Sequence, residues 1–169
     1  MFRESYAAVR GYALRRAPSE VAQEAVADTF LVAWRRIDDV PSDPLPWLLG
    51  VTRRTLANQR RSAGRGEALA ERAASSLTGS LVEDPAEAIG DAEVVRLALG
   101  RLSDRDRETL MLVAWDGLEG ARAAAAAGCS RTTFAVRLHR ARARFAAELE
   151  ALEAAAAPRV GATVPEVTR

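Results

Sequence analysis

The residues of this sequence best equipped for chemistry are arginines gathered on one short stretch. Arg131, Arg137, Arg140, Arg142 and Arg144 accompany His139, and no acid falls between Arg131 and Arg144. Such a group breaks no bonds; it binds polyanions. A guanidinium can pair with the edge of guanine in bidentate fashion or hold phosphate, and a good base contact discriminates by ~1–3 kcal/mol. Ser130 suits a helix N-cap, and free N–H groups there can also hold a phosphate. Phe134, Leu138, Ala141, Phe145, Leu149 and Leu152 recur in steps of three and four, which is the core stripe of a helix. The other faces then carry Ser130, Arg131, Thr132, Thr133, Val136, Arg137, His139 and Arg140 as candidate DNA contacts. A solvated basic helix on a structural bundle is the plainer alternative. Against it stands the coincidence of a turn, a capping serine and an acid-free run.

Catalysis finds no comparable support. Cys129 and His139 are the single cysteine and the single histidine, too few for a zinc site, a disulfide or an oriented Cys–His dyad. No carboxylate pair, phosphate-binding glycine loop or nucleophile motif occurs at useful spacing. The expectation is a protein that is not an enzyme, with no metal and no cofactor.

The elements that must position the basic stretch are helical. The chain has 169 residues, room for one medium domain or two small ones. Alanine dominates its apolar set, aromatics are few, and period-two alternation is rare, so an all-α fold of closely packed helices is expected. Net charge is +1, which by itself says nothing of partners. All the basic residues but His139 are Arg, with no Lys. A GC-rich coding bias explains that better than phosphate recognition, which would not remove lysine everywhere. No apolar run approaches the ~20 residues of a membrane span, and Met1-Phe2-Arg3-Glu4 lacks the apolar core of a signal peptide. The chain reads as cytoplasmic, with no membrane partner.

Along the chain, a first helix is expected over about residues 2 to 16. Ser19 is a candidate N-cap for a second, whose buried stripe is Ala22, Val26, Phe30, Ala33 and Ile37. Asp43 and Pro44 suit an N-cap and first position of a third helix. It starts apolar at Trp47 and ends basic near Arg61, where cations complement the helix dipole. Residues 63–85 are rich in Ala, Gly, Ser and Glu without apolar period, and read as a flexible acidic linker. Ser103 then caps another helix. Glu119 to Ala127 is a short Ala-rich helix, Gly128 and Cys129 form a turn, and Ser130 opens a long helix to about Glu153. Short helix, glycine turn and long helix make a helix-turn-helix. Four segments follow: 1–62, the linker 63–85, 86–153, and a disordered tail over 154–169.

Two stretches together resemble one family. The first is Ala22-Gln23-Glu24-Ala25-Val26-Ala27-Asp28-Thr29-Phe30-Leu31-Val32-Ala33-Trp34-Arg35-Arg36, followed by Asp43-Pro44-Leu45-Pro46-Trp47-Leu48-Leu49-Gly50-Val51-Thr52-Arg53-Arg54. The second runs from Leu102-Ser103-Asp104-Arg105-Asp106-Arg107-Glu108-Thr109-Leu110, through Trp115-Asp116-Gly117, to Arg137-Leu138-His139-Arg140-Ala141-Arg142. In this order they resemble region 2 and region 4 of bacterial RNA polymerase sigma factors of the sigma-70 family, extracytoplasmic-function group. The resemblance implies two small helical domains. Region 2 over 1–62 would bind core polymerase and recognise and melt the −10 element. Region 4 over 86–153 would read the −35 element.

It further implies that Glu24, Asp28, Leu31 and Trp34 dock on the clamp helices of the polymerase's largest subunit. For Trp34, burial in the core is an equal alternative. The loop Asp38 to Pro46 would capture a flipped base, while Trp47, Arg53, Arg54, Asn58 and Arg61 line the melted strand; for Trp47, core packing is the competing role. Aromatic stacking supplies ~1–3 kcal/mol per base in such grooves. Partners implied are core RNA polymerase (clamp helices and flap), promoter DNA and an anti-sigma factor.

The departures from the family pattern are informative. Arg122-Ala123-Ala124 stands where a Glu-Ile-Ala core is usual, and exchanging a buried Ile for Ala typically costs ~2–5 kcal/mol. Region 4 is therefore expected to be loose alone and to read DNA well only when polymerase holds it. Ala135 and Val136 replace common Lys and Ser, so base contacts there turn apolar, and Ala27 replaces a usual Gln. Two other functions stay open at this point. One is a stand-alone helix-turn-helix regulator, which would normally dimerise and would leave Glu24 to Arg54 unexplained. The other is a polymerase-binding adaptor with weakened −35 reading.

Overall fold

The computed structural model describes residues 2–70 and 89–156. Among them are seven α-helices, one 3-10 turn and no strand. The expected all-α class follows from the alanine content and the helical spacing of the apolar residues.

The first unit is α1 (Phe2–Leu14), α2 (Ser19–Arg35), the 3-10 turn Ile37–Asp39 and α3 (Pro44–Ala70). Its core joins Val9, Tyr12 and Ala13 from α1 with Ala22, Ala25, Val26 and Ala33 from α2. Leu48, Leu49 and Leu56 from α3 complete it. Two buried threonines tie α2 to α3. Thr52 Oγ1 donates to the Leu48 carbonyl (2.9 Å) and accepts from Thr29 Oγ1 (3.0 Å), whose proton is shared with the Ala25 carbonyl. Each buried hydroxyl is thus satisfied, which spares the fold a desolvation cost of about 1–3 kcal/mol per group.

Three local expectations need correction. Ile37 leaves the α2 stripe and is 46% exposed, because the helix breaks at Arg36, whose φ of −124° is not helical. Ser19 is not the N-cap: Pro18 holds that position, and the Ser19 hydroxyl accepts from Gln23 instead. Helix α3 does not stop at Arg61 but continues to Ala70, taking in the first part of the expected linker. Ala63, Glu67, Ala68, Leu69 and Ala70 are good helix formers, and no proline interrupts them. The remaining linker residues, 71–88, lie outside the described residues, as does the expected tail from 157 onward.

The second unit is α4 (Ile89–Arg101), α5 (Asp104–Ala114), α6 (Gly120–Ala127) and α7 (Arg131–Ala156). Ser103 caps α5 as expected, its Oγ accepting from the Asp106 N–H at 3.2 Å. Gly128 ends α6 with φ +67°, a left-handed conformation that glycine alone adopts without strain. The turn it makes delivers Ser130, which caps α7 by accepting from the Thr133 N–H at 3.1 Å.

The two units share one buried apolar cluster. Leu112, Leu118, Ala123, Ala124, Ala126 and Phe134 belong to the same cluster as the core of α1 to α3. Helix α6 lies on α3 so closely that a Cβ at Gly50 would stand 3.5 Å from the Ala126 carbonyl oxygen and 3.7 Å from that of Ala125. Ala123, Ala124 and Ala126 of α6 are all buried at this contact. Their small size lets α3 approach, and the burial that a larger side chain would have supplied comes from a neighbouring helix instead.

An ionic cluster fastens the same contact beside α6. Arg16 Nε donates to Glu108 Oε2 (2.6 Å), and its Nη2 donates to Asp116 Oδ2 (2.7 Å). Arg15 Nη2 reaches Asp116 Oδ1 (2.5 Å). The Tyr12 hydroxyl donates to Glu108 Oε1 (2.6 Å), and the Arg16 guanidinium lies 3.6 Å from the Tyr12 ring centroid. The side chains of Arg16 and Asp116 are 6% and 2% exposed. Burial, then the charge of Glu108, pushes the Tyr12 phenol well above its ordinary range, so at neutral pH it remains a donor. Two further links cross between the units. Arg122 pairs with Asp43 at 2.8 and 3.3 Å, and Arg53 Nε donates to the Ala126 carbonyl at 3.2 Å.

Candidate nucleic-acid interface

Helix α7 is positioned by its inner stripe. Phe134 and Ala141 are buried, and Leu138, Phe145, Leu149 and Leu152 are partly buried against α4, α5 and α6. That seating turns Arg131, Thr132, Thr133, Val136, His139 and Arg140 outward, all of them exposed, with Ser130 at the cap. Val136 is 47% exposed, an apolar spot amid cations that suits a thymine methyl. Arg137 is half-buried. All the candidate residues of this helix therefore fall in the N-terminal half of α7, outside its buried stripe.

The structure adds a feature that spacing did not reveal. An open groove runs between α5 and the outer side of α7, lined by Arg105, Asp106, Thr132, Thr133, Val136, Arg137, Arg140 and Arg144. Four guanidinium groups in one groove form a cradle for a phosphodiester backbone. Asp106 sets its edge by accepting from Arg144 Nη1 at 2.5 Å and from the Ser103 hydroxyl at 2.9 Å. Burial pushes the Asp106 carboxyl up, but the hydrogen bonds from Arg144 and Ser103, with the charge of Arg144, hold it below the ordinary carboxylate range. It therefore stays charged and fixes Arg144 in place. Arg105 comes from a different helix, so nothing in the periodicity of α7 could have pointed to it.

The second candidate surface lies on α3 and the loop before it. Trp47 is half-buried against the core cluster, which favours packing over a fully free ring. Arg54, Asn58 and Arg61 are exposed, and Arg61 donates to the Asn58 side-chain oxygen. Arg53 is half-buried and points at α6. The structure thus brings Arg54, Asn58 and Arg61 together on an open face, packs Trp47 on the core cluster and draws Arg53 toward the other unit.

The third candidate surface is one side of α2. Glu24, Asp28, Leu31 and Trp34 are all exposed, Leu31 at 46% and Trp34 at 73%. Of the two roles open to Trp34, the core is excluded. Large apolar side chains left in water beside carboxylates are typical of a surface awaiting a protein partner. Phe30, by contrast, is partly buried and stacks on Tyr6 with centroids 5.7 Å apart.

Comparison with known proteins bears on these surfaces. Residues 1–66 match the family model for Sigma-70 region 2, and residues 92–145 match that for Sigma-70, region 4. A relative, RNA polymerase sigma factor NccH of Alcaligenes xylosoxydans xylosoxydans, is 29% identical over 140 residues, 79% of this chain and 75% of that protein. Among solved structures, the sigma factor RpoE of Bartonella quintana, in complex with the anti-sigma factor NepR, superposes with a TM-score of 0.69. It is 28% identical, over 88% of this chain and 94% of that one. CnrH, in complex with the cytosolic domain of CnrY, superposes with a TM-score of 0.54 at 26% identity, over 89% and 83% of the two chains.

Proposed function

This chain belongs to the sigma-70 family, in its extracytoplasmic-function group, and is an alternative sigma factor that directs RNA polymerase to promoters; we propose that it does so through three separate faces. The α2 face of Glu24, Asp28, Leu31 and Trp34 docks on the clamp helices of core polymerase. Trp47, Arg53, Arg54, Asn58 and Arg61, with the loop before α3, take the melted −10 strand by stacking and phosphate contact. The α7 face, Ser130 to Arg140, enters the major groove of the −35 duplex, and its N-terminal residues reach base edges.

The observation that carries this reading is the pairing of two unlike exposed surfaces in one chain. One is apolar and acidic, as a protein partner requires. The other is lined by four arginines, with Asp106 engaged by Arg144 at its edge, as a phosphate backbone requires. We further propose that the chain acts in the cytoplasm, performs no catalysis of its own and is held in reserve by an anti-sigma factor. RpoE, its structural relative, is bound by one. No helix among the described residues is long and apolar enough to cross a membrane.

The test mixes purified chain with core polymerase and a promoter library and maps transcript starts. Initiation dependent on both a −35 and a −10 motif is expected; its absence would refute the reading. Arg137→Ala should lower −35-dependent initiation about tenfold, the equivalent of one lost base or phosphate contact of ~1–3 kcal/mol, while binding of core polymerase stays unchanged. Equal loss of polymerase binding would refute the assignment of Arg137.

A further inference from the structure

Helix α7 carries one side chain that neither the core nor a phosphate backbone asks for. Val136 is the one large apolar residue exposed on α7 among the described residues. A β-branched residue is a poorer helix former than alanine, and this chain uses alanine freely on its helices. An exposed valine here gives up helix propensity without being buried in return. It stands where the family pattern carries Ser, so an apolar group has taken the place of a hydrogen-bonding one. Thr132, Val136 and Arg140 follow one another at steps of four, which sets them in one strip on the helix surface, and all three line the arginine groove. The Thr133 hydroxyl is taken by Ser130 at 2.8 Å. That of Thr132 has no hydrogen-bond partner among the described residues, and its side chain is exposed.

We propose that Val136 and Thr132 form a subsite for the C5-methyl group of a pyrimidine, so that α7 prefers thymine to uracil and 5-methylcytosine to cytosine at one position of its duplex. The proposal rests on the assignment of α7 to the −35 element. A valine side chain can cover a methyl group in the major groove, but it cannot sense the polar group beside it on the base edge. That group is an acceptor oxygen in thymine and a donor amine in cytosine. A threonine hydroxyl serves either one, because it both donates and accepts. The subsite therefore reads the methyl group and is indifferent to the rest of that edge. Arg140 stands one turn further, ~6 Å along the helix surface, against a base-pair rise of ~3.4 Å. The base it reaches, a guanine by bidentate pairing, lies one or two steps from the methyl group. Methylation of a cytosine at the Val136 step then turns a poor −35 element into a better one, which makes promoter choice sensitive to covalent marking of the DNA.

The test uses full-length chain with core polymerase on a promoter drawn from the library, each pyrimidine of the −35 element being varied in turn. Thymine against uracil, and 5-methylcytosine against cytosine, each change one methyl group and leave the paired purine as it was. At one position, within two base pairs of a guanine, the methylated base of both pairs should raise initiation about fourfold, the worth of one methyl group taken out of water. Val136→Ala, at an exposed site where alanine favours the helix, should erase both differences and keep the guanine requirement. No methyl effect at any position would overturn the proposal, and so would an effect that survives in Val136→Ala. An effect for thymine without one for 5-methylcytosine would overturn the indifference assigned to Thr132. The same comparisons are made by fluorescence anisotropy on duplexes selected by the full-length chain alone. A chain that initiates nowhere, yet binds the methylated duplexes about fourfold more tightly through Val136, would keep the subsite and count against the −35 assignment. A chain that shows the preference in neither assay would overturn the subsite.

Discussion

At the scale of single residues, charge is spent on holding arginines still. Asp106 is the clearest case. It is buried, it completes the Ser103 cap, and it grips Arg144 at the edge of the α7 groove. Its carboxyl is held below its ordinary range in the folded chain. A depressed folded value means that its contribution is complete above the unfolded value, near ~4, and disappears as pH falls through the folded value. Asp106→Asn should therefore cost about 1 kcal/mol at pH 7, a modest figure because Arg144 is largely solvated. The gap between the two proteins should narrow as pH falls below the ordinary carboxylate range. Urea unfolding midpoints at pH 7 and below that range measure it, and a constant gap would show that the carboxylate charge is not what matters. The Arg16–Asp116 pair is of another kind, since both side chains are nearly dry. Removing one partner from such a pair typically costs about 3–5 kcal/mol, because a buried charge is left alone.

At the scale of elements, α6 decides how the molecule is put together. Its fit against α3 sets a size limit that can be measured. Gly50→Ala places its new Cβ at ordinary contact distance from the α6 carbonyls and removes a mid-helix glycine, so it should be neutral or stabilising by up to ~1 kcal/mol. Ala126→Leu has no such room and should destabilise by about 1–3 kcal/mol as α6 is forced off α3. Thermal or urea unfolding of both variants checks the pair, and a tolerated leucine would mean that the contact is not tight. Several elements were legible in the sequence because their signals are local. Pro44 at a first turn, Ser103 and Ser130 as caps and Gly128 at a left-handed end each act within a few residues of themselves. The end of α3 was not legible, because Gly64 and Gly66 weaken the helical signal and Ala63 to Ala70 shows no apolar stripe. The alanines of α6 looked like a missing core when read alone. They become a fitted surface only once α3 is beside them, and no spacing within α6 could report that. The α7 face was read correctly as a surface, whereas Arg105 joins it from α5. Arg15 and Asp116 lie about a hundred positions apart, and long-range charge pairs leave no periodic trace.

At the scale of the whole molecule, one cluster spanning both units is expected to make them a single cooperative body. Calorimetry of the full chain should show one transition. Glu108→Arg with Asp116→Arg should split it into two, with the α4–α7 unit melting first because it loses the cover over its alanines. A single unshifted transition in that variant would show that the units do not depend on each other. The Gly50–Ala126 contact also bears on how such a protein can diversify. Here the two halves carry matching parts of one seam: a glycine facing an alanine, an aspartate facing an arginine. A transplant of 86–153 from a relative with the larger Glu-Ile-Ala sequence would bring a bulkier side chain to the buried position of Ala123 and a second acid to Asp43. Functional chimeras should arise only when both sides of the seam travel together, so the two halves are expected to be inherited as a matched pair.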